Sequence, residues 1–255
     1  MNWIAISLMS LSFLAILISA EVLYRLTQLP TEWTRKIQHI VSGGVAATFP
    51  WIFSSPYEVL ILGAIMTLAL AALRKSRWLT SLHGVKRETL GEFYFLASAV
   101  ILSFLCKDRA PLFYFIPFLT LTFSDSLAAL VGMAYKKMSY SIKGHVKSLE
   151  GSIAFFVSAF LTAHLSLLLL SEIQPLQSIL IALEIALITT VAEAVGRKGI
   201  DNLLIPLSAF YLLLHLTNAS LLVLICELSG LAVGSIFFFT YLIRKERIQL
   251  PQRLK

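Results

Sequence analysis

The chain has 255 residues, of which 58% are hydrophobic and only 14% are charged. Soluble domains are about 45–50% apolar and about 25% charged, so this composition excludes a water-soluble enzyme and a disordered protein and predicts an all-α, polytopic integral membrane protein. The net charge of +7 favours basic loops against anionic lipid headgroups, whereas no basic, aromatic-interleaved soluble segment indicates nucleic-acid binding.

Nine apolar segments are predicted to cross the membrane. The first lacks a positive n-region and a cleavage site, so it is expected to be a retained span. No transit peptide precedes it, which favours the plasma membrane of a prokaryote over an organelle. Six segments reach or approach the roughly 20 residues that a span needs: 3–20, 57–73, 111–135, 151–170, 176–195 and 219–243. Three shorter segments need polar flanking residues to span: 40–53, 93–106 and 203–216.

The distribution of basic residues predicts the topology. With the N-terminus outside, 19 of the 21 Lys and Arg residues fall in inward loops or the C-terminal tail, and only Lys107 and Arg109 fall in an outward loop. The positive-inside rule therefore predicts nine spans with the N-terminus out and the C-terminus in. The loops are too short for a soluble domain, so residues 1–255 are predicted to form a single transmembrane domain.

A basic cluster opens the second predicted span. Arg35, Lys36 and His39 are three or four residues apart, so they would share one helix face. The plain interpretation is a juxtamembrane anchor against anionic lipid. A histidine followed by the pair Gly43 and Gly44 is not typical of such an anchor.

The fifth predicted span carries Asp125 in its inner half. Asp125 lies 14 residues after Pro111, which places it about 21 Å into a core of about 30 Å. A carboxylate at that depth is costly and is a candidate functional group. The alternative is a polar contact between helices, because Ala128, Ala129 and Gly132 form a small-residue face beside it.

The segment before the sixth predicted span has the composition of a phosphate site. It contains two lysines, two serines, a glutamate and a glycine next to a helix N-terminus: Lys143, Lys147, Ser148, Glu150, Gly151 and Ser152. A helix N-terminus offers unpaired N–H groups and partial positive charge to an anion. A carboxylate beside an anion suggests Mg²⁺, which is bound by one or two carboxylates together with substrate phosphates. The alternative is a capped helix with a basic loop.

Weaker candidates lie at other helix ends on the same side. Thr89 and Gly91 precede the fourth span, and Glu193 ends the seventh. Asp201 and Asn202 stand where the eighth helix should begin, so they are either caps or further oxygen ligands.

These motifs together resemble the CTP-dependent lipid kinases, a family that includes dolichol, phytol and farnesol kinases and the yeast-type diacylglycerol kinase. The resemblance rests on Asp125, the run from Lys147 to Ser152, Glu193, the pair Asp201 and Asn202, and the Arg35-Lys36-x-x-His39 pattern. It covers most of the chain, from about residue 32 to residue 206. The family is distantly related to phosphatidate cytidylyltransferase, whose long signature is missing after Lys147.

The resemblance implies Mg²⁺-dependent transfer of a phosphoryl group from CTP to a long-chain lipid alcohol at the cytoplasmic membrane face. The implied catalytic residues are Asp125, Lys147 and Glu150. The implied nucleotide-binding residues are Lys143, Lys147, Ser148, Gly151, Ser152, Arg35, Lys36 and His39. The implied magnesium ligands are Asp125, Glu150 and Asp201. Either Asp125 or His39 could take the proton of the lipid hydroxyl.

Several alternatives remain open on the residues alone. The acceptor is an isoprenoid alcohol such as phytol, farnesol, geranylgeraniol or dolichol, or else diacylglycerol, because each presents one hydroxyl and apolar tails. Cytidylyl transfer to phosphatidate is a second enzymatic alternative. A small secondary transporter is the non-enzymatic alternative, with Asp125, Glu184 and Glu227 on an ion path.

Overall fold

The structure of the chain is a computed structural model that describes residues 1–27, 29–76, 90–142 and 145–253. Two predicted site residues, Thr89 and Lys143, lie outside the described residues. The described part forms ten α-helices and one β-hairpin, in this order: α1 (Trp3–Thr27), α2 (Thr31–Ala47), α3 (Phe49–Ile52), α4 (Pro56–Ser76), α5 (Gly91–Leu105), α6 (Leu112–Ala134), β1 (Ser139–Ile142), β2 (His145–Ser148), α7 (Leu149–Leu170), α8 (Pro175–Val195), α9 (Asp201–Leu216) and α10 (Leu221–Arg253).

The lengths and hydropathies of the helices confirm an all-α, polytopic membrane protein. Six helices are long and apolar enough to cross a membrane, namely α1, α4, α6, α7, α8 and α10. Helices α5 and α9 are apolar but shorter. The count of nine spans stays a prediction, because it depends on these two short helices and on α2.

The second predicted span, 40–53, differs in the structure. Helix α2 begins nine residues earlier, at Thr31, and ends at Ala47, so that Arg35, Lys36 and His39 lie within the helix. The chain then turns at Thr48 and continues as the short helix α3. Pro50 lies in the first turn of α3, where its missing N–H would have had no helical partner in any case.

Apart from the short α3, successive helices along the chain alternate in direction, so their ends meet at two ends of the bundle. At one end, the backbone N–H of Asn2 donates to the Glu58 carboxylate at 2.6 Å. There, too, the rings of Tyr57 and Phe104 lie 5.3 Å apart. The other end, called the polar end below, holds two ion pairs, one between Lys36 and Asp125 and one between Lys147 and Glu193.

Glycines allow the helices of the polar end to approach closely. A Cβ at Gly43 would overlap the Thr122 side chain, so Gly43 lets α2 lie directly against α6. A Cβ at Gly132 would come within 2.7 Å of Ser148 Oγ, and a Cβ at Gly151 within 2.8 Å of the Ala128 carbonyl oxygen. Helix α6 therefore packs closely against α2 on one side and against the start of α7 on the other.

The alternation of the helices leads to a test of sidedness. We expect thiols introduced at Ser54 and Asn218 to react with an impermeant maleimide from outside the cell. Thiols at Lys137 and Arg197 should react only after permeabilisation, because the charge split predicts that the polar end faces the cytoplasm. All four positions are exposed. The matched background replaces Cys106 and Cys226, and outside labelling at Lys137 would contradict the predicted orientation.

Candidate active site

A cavity of about 1270 Å³ opens at the polar end. Nearly all of the predicted site residues that the structure describes line it: Arg35, Lys36, His39, Gly91, Asp125, Lys147, Ser148, Gly151, Ser152, Glu193, Asp201 and Asn202. Residues more than 150 positions apart in the chain thus come together at one place. The remaining described candidate, Glu150, is not part of the lining.

Asp125 is paired with a lysine from another helix. Lys36 Nζ of α2 donates to Asp125 Oδ2 of α6 at 2.5 Å, and His39 Nε2 lies 4.0 Å from the same oxygen. Lys36 is 7% exposed, so water screens this pair weakly. His39 Nε2 is buried and has no hydrogen-bond partner among the described residues. The cluster therefore joins α2 to α6 and also leaves one buried nitrogen available to a ligand.

A second ion pair joins the hairpin to α8. Lys147 Nζ donates to Glu193 Oε1 at 2.7 Å and to the Glu193 carbonyl oxygen. Glu193 is 8% exposed. Its second carboxylate oxygen, Oε2, is buried and accepts no hydrogen bond within the described ranges. Glu193 thus has an unused acceptor beside the lysine that was predicted to hold phosphate.

A β-hairpin, which the sequence did not predict, positions Lys147. Strands β1 and β2 pair antiparallel with Tyr140 opposite Lys147. The Tyr140 hydroxyl is fully buried and hydrogen-bonds Ser152 Oγ at 2.6 Å, which ties the hairpin to the first turn of α7. Ser148 is the N-cap of α7 and accepts from the Gly151 N–H at 3.1 Å. Ser148 and Ser152 therefore fix the position of the hairpin relative to the first turn of α7, and both also line the cavity.

The turn between α8 and α9 packs against the start of α5. Gly199 has a φ of +91°, and a Cβ there would overlap the backbone of Gly91. Asn202 Nδ2 donates to the Gly91 carbonyl oxygen at 2.8 Å. Asn202 and Gly91, two weaker sequence candidates, thus contact each other and fix this turn. The turn places Asp201 in the cavity, in electrostatic range of Asp125 and Lys147.

Glu150 points away from the other carboxylates. Its Oε1 accepts from the Met138 N–H at 3.0 Å, ahead of the hairpin. Successive helical residues are about 100° apart, so the turn that directs Gly151 into the cavity directs Glu150 out of it. The implied ligand set of Asp125, Glu150 and Asp201 is therefore not brought together. Within the described ranges, no three acidic, histidine or cysteine side chains converge as a ready metal cage.

We expect Glu150→Gln to keep most of the activity. The amide oxygen can still accept from the Met138 N–H, and no cavity contact is lost. Turnover within about threefold of wild type corresponds to about 0.6 kcal/mol. The measurement is turnover per inserted molecule. A loss of 100-fold or more would restore Glu150 to the ligand set that the resemblance implied.

The cavity also contains residues that the sequence did not single out. Lys136, Arg197 and Lys198 contribute basic groups to its lining, and Gln38 contributes an amide. The three basic residues could have been found from the sequence, because they lie in loops that the positive-inside rule assigns to the same side as the site motifs. Arg35, which was singled out, pairs with Glu32 at 3.4 Å.

The chain is similar to a curated lipid kinase. The chain is 32% identical over 209 residues to a phytol kinase of Synechocystis sp., and the alignment covers 81% of this chain and 89% of the relative. No family model matches the chain. No solved structure matches it either.

Proposed function

Because the chain belongs to the phytol kinase family of membrane lipid kinases, we propose that it transfers the γ-phosphoryl group of CTP to the hydroxyl of an isoprenoid alcohol. The observation that carries this proposal is the mixed lining of the cavity. One side holds the two ion pairs, and the other consists of apolar side chains from α1, α4 and α5, including Phe13, Leu70 and Phe95. A charged co-substrate from water and a lipid from the bilayer can meet in such a cavity.

The lysines are the groups that bind the triphosphate. Lys36 and Lys147 each hold a carboxylate in the structure, at 2.5 and 2.7 Å. Each flexible ammonium can turn toward a phosphate oxygen while staying in the cavity. The N-terminus of α7 adds N–H groups and partial positive charge beside Ser152. Arg197 and Lys136 increase the positive charge around the mouth.

The carboxylates of the cavity fit Mg²⁺. One or two of Asp125, Glu193 and Asp201 would hold it together with phosphate oxygens, because all three line the cavity and Glu193 Oε2 is a buried oxygen without a described partner. Mg²⁺ takes one or two carboxylates plus phosphates and needs no complete protein cage. Glu193 replaces Glu150 in this set. When bound, the ion would neutralise charge on the transferring phosphoryl group.

We place the acceptor hydroxyl at the boundary between the charged side and the apolar side of the cavity. His39 lies at that boundary, with its ring 5.1 Å from the ring of Phe95 and its Nε2 4.0 Å from Asp125 Oδ2. The hydroxyl oxygen forms a bond to the γ-phosphorus, and the bond from that phosphorus to the β-phosphate oxygen breaks. CDP leaves, and the hydroxyl proton passes to Asp125 or to His39 Nε2. Most of the catalysis comes from positioning and charge neutralisation, as in phosphoryl transfer generally.

The proposed setting is the cytoplasmic face of a prokaryotic plasma membrane. The family supports a multi-pass membrane enzyme, and the 19 inward basic residues favour the face on which CTP is available. The transporter alternative has less support, because Glu184 and Glu227 do not line the cavity that contains Asp125.

The test uses membranes that contain the protein, an isoprenoid alcohol, Mg²⁺ and CTP labelled in either the γ- or the α-phosphate. We expect the γ-label in the lipid product and CDP in solution. Transfer of the α-label to lipid with release of pyrophosphate would instead identify a cytidylyltransferase. Diacylglycerol in place of the alcohol is the matched acceptor control, and ATP in place of CTP is the matched donor control.

A further inference from the structure

Helix α10 packs loosely against the rest of the bundle along most of its length. Only 6% of its most apolar stretch is buried, compared with 56% in α6 and in α8. Within the described part of the chain, none of the residues that line the cavity belongs to α10. Two of its positions are nevertheless buried, Leu224 near the start of the helix and Leu242 near the polar end.

At the polar end, α10 packs on the β-hairpin. Leu242 forms an apolar cluster with Tyr140 of β1 and Ala194 of α8, and Phe238 and Phe239 of α10 pack against this cluster. The ring of Tyr140 meets the ring of Phe239 edge-on, with 5.8 Å between the ring centres. None of these five residues lines the cavity. The cluster therefore joins β1, α8 and α10 at a place outside the candidate active site.

The cluster supports both partners of the ion pair between Lys147 and Glu193. Tyr140 lies directly opposite Lys147 in the hairpin, and side chains that are directly opposite share one face of the sheet, with their Cβ atoms about 4.5–5.5 Å apart. Ala194 follows Glu193 in α8, and Glu193 is in electrostatic range of Tyr140. A shift of the cluster would therefore move the lysine, its carboxylate partner, or both.

The hairpin depends on its neighbours for a fixed position. Its strands have four residues each, and an isolated two-stranded hairpin is at best marginally stable in water. Two contacts of Tyr140 connect it to longer elements. The Tyr140 hydroxyl hydrogen-bonds Ser152 Oγ of α7 at 2.6 Å, and the ring packs on Phe239 of α10. Helix α10 is thus one of two supports for the strand pair that carries Lys147.

We propose that α10 positions Lys147 for the triphosphate by packing on Tyr140 at the polar end. Phe239 is then a positioning residue for phosphoryl transfer, although it lines no part of the cavity. The proposal rests on the proposed function and deepens it, because it assigns a role to a helix that contributes no described residue to the cavity. When Lys147 leaves Glu193 for a phosphate oxygen, its backbone must stay in place, and a misplacement of about 1 Å can cost about 100-fold in rate.

The test compares the kinetics of wild type and Phe239→Ala. Loss of the ring should raise KM for CTP about tenfold and lower turnover, because Lys147 is no longer held where it binds phosphate. KM for the isoprenoid alcohol should change less than about threefold, because α10 does not reach the apolar side of the cavity. The matched control is Phe237→Ala, the same change two positions away at a residue that is 77% exposed. It should leave both KM values unchanged.

A double variant distinguishes the positioning of Lys147 from a general loss of stability. Residues that act through one shared group do not have additive effects. In the Lys147→Met background, Phe239→Ala should therefore lower kcat/KM for CTP by less than about threefold further. A further loss as large as in the wild-type background would overturn the proposal, and so would equal increases of KM for CTP and for the alcohol.

Phe239→Leu covers poor folding of Phe239→Ala. The leucine keeps an apolar side chain against Tyr140, so KM for CTP should lie between the values of wild type and of the alanine variant, while KM for the alcohol stays constant. Thermal stability in detergent is measured alongside. Variants that lose stability but keep the wild-type KM for CTP would overturn the positioning role. A wild type that phosphorylates no isoprenoid alcohol would instead overturn the proposed function itself.

Discussion

Asp125→Asn is expected to lower turnover per inserted molecule by about 100-fold or more without preventing insertion. A carboxylate within a span costs about 2.5–3.5 kcal/mol on insertion scales, and the amide removes that cost. The amide also removes the negative charge that pairs with Lys36 Nζ at 2.5 Å. A hard cation such as Mg²⁺ requires the same charge. Each 1.36 kcal/mol of lost transition-state stabilisation is tenfold in rate, so a loss of about 3 kcal/mol or more gives this effect.

The control is Glu184→Gln. Glu184 is also a buried carboxylate on a spanning helix, with 1% exposure and no hydrogen-bond partner for either oxygen within the described part of the chain. It does not line the cavity, so its loss should change turnover less than threefold. Both variants are compared at equal abundance across a Mg²⁺ titration.

The two interpretations of Asp125 predict different results. If Asp125 only joins α2 to α6 through Lys36, the amide should reduce thermal stability and leave the turnover of the folded protein intact. If it belongs to the active site, the turnover should fall at temperatures where the variant is fully folded. An Asp125→Asn protein with turnover within threefold of wild type would contradict the catalytic role.

The membrane architecture could be predicted from the sequence because span-length apolar runs are a strong signal. The six long runs correspond to the six helices that are apolar enough to span. The signal fails where residues are polar or elements are short. Helix α2 includes Arg35 and Lys36, so a hydropathy pattern begins only at residue 40. The strands β1 and β2 have four residues each, which is too few for a clear alternation.

The composition of the site could also be anticipated, but the pairing within it could not. Intramembrane charge and helix-end motifs identify Asp125 and Lys147 individually. Their partners Lys36 and Glu193 lie 89 and 46 positions away in the chain. Such pairs form only through the packing of helices against one another, which cannot be predicted from the pattern of a single sequence. Glu150 is the clearest example of a side chain whose orientation could not be predicted. It is next to Gly151 in the sequence, but a rotation of about 100° around the helix axis separates the two residues.

Lys147→Met is expected to raise KM for CTP and to lower turnover together. A lysine bound to phosphate contributes about 1.5–3 kcal/mol as a charge-assisted hydrogen bond, which corresponds to about 10–100-fold in affinity. The variant also leaves Glu193, 8% exposed, without its lysine, so part of any loss could come from an unpaired buried charge. The measurements are initial rates against CTP concentration and thermal stability in detergent.

The double variant Lys147→Met/Glu193→Gln separates these two contributions. Removing the unpaired carboxylate should restore thermal stability toward wild type, because a neutral amide needs no counter-ion. KM for CTP should stay at least tenfold raised, because the phosphate still lacks its lysine. Lys137→Met, at an exposed loop position outside the cavity, should leave both quantities unchanged. A double variant that regains wild-type KM would show that Lys147 acts only by neutralising Glu193 and does not contact the nucleotide.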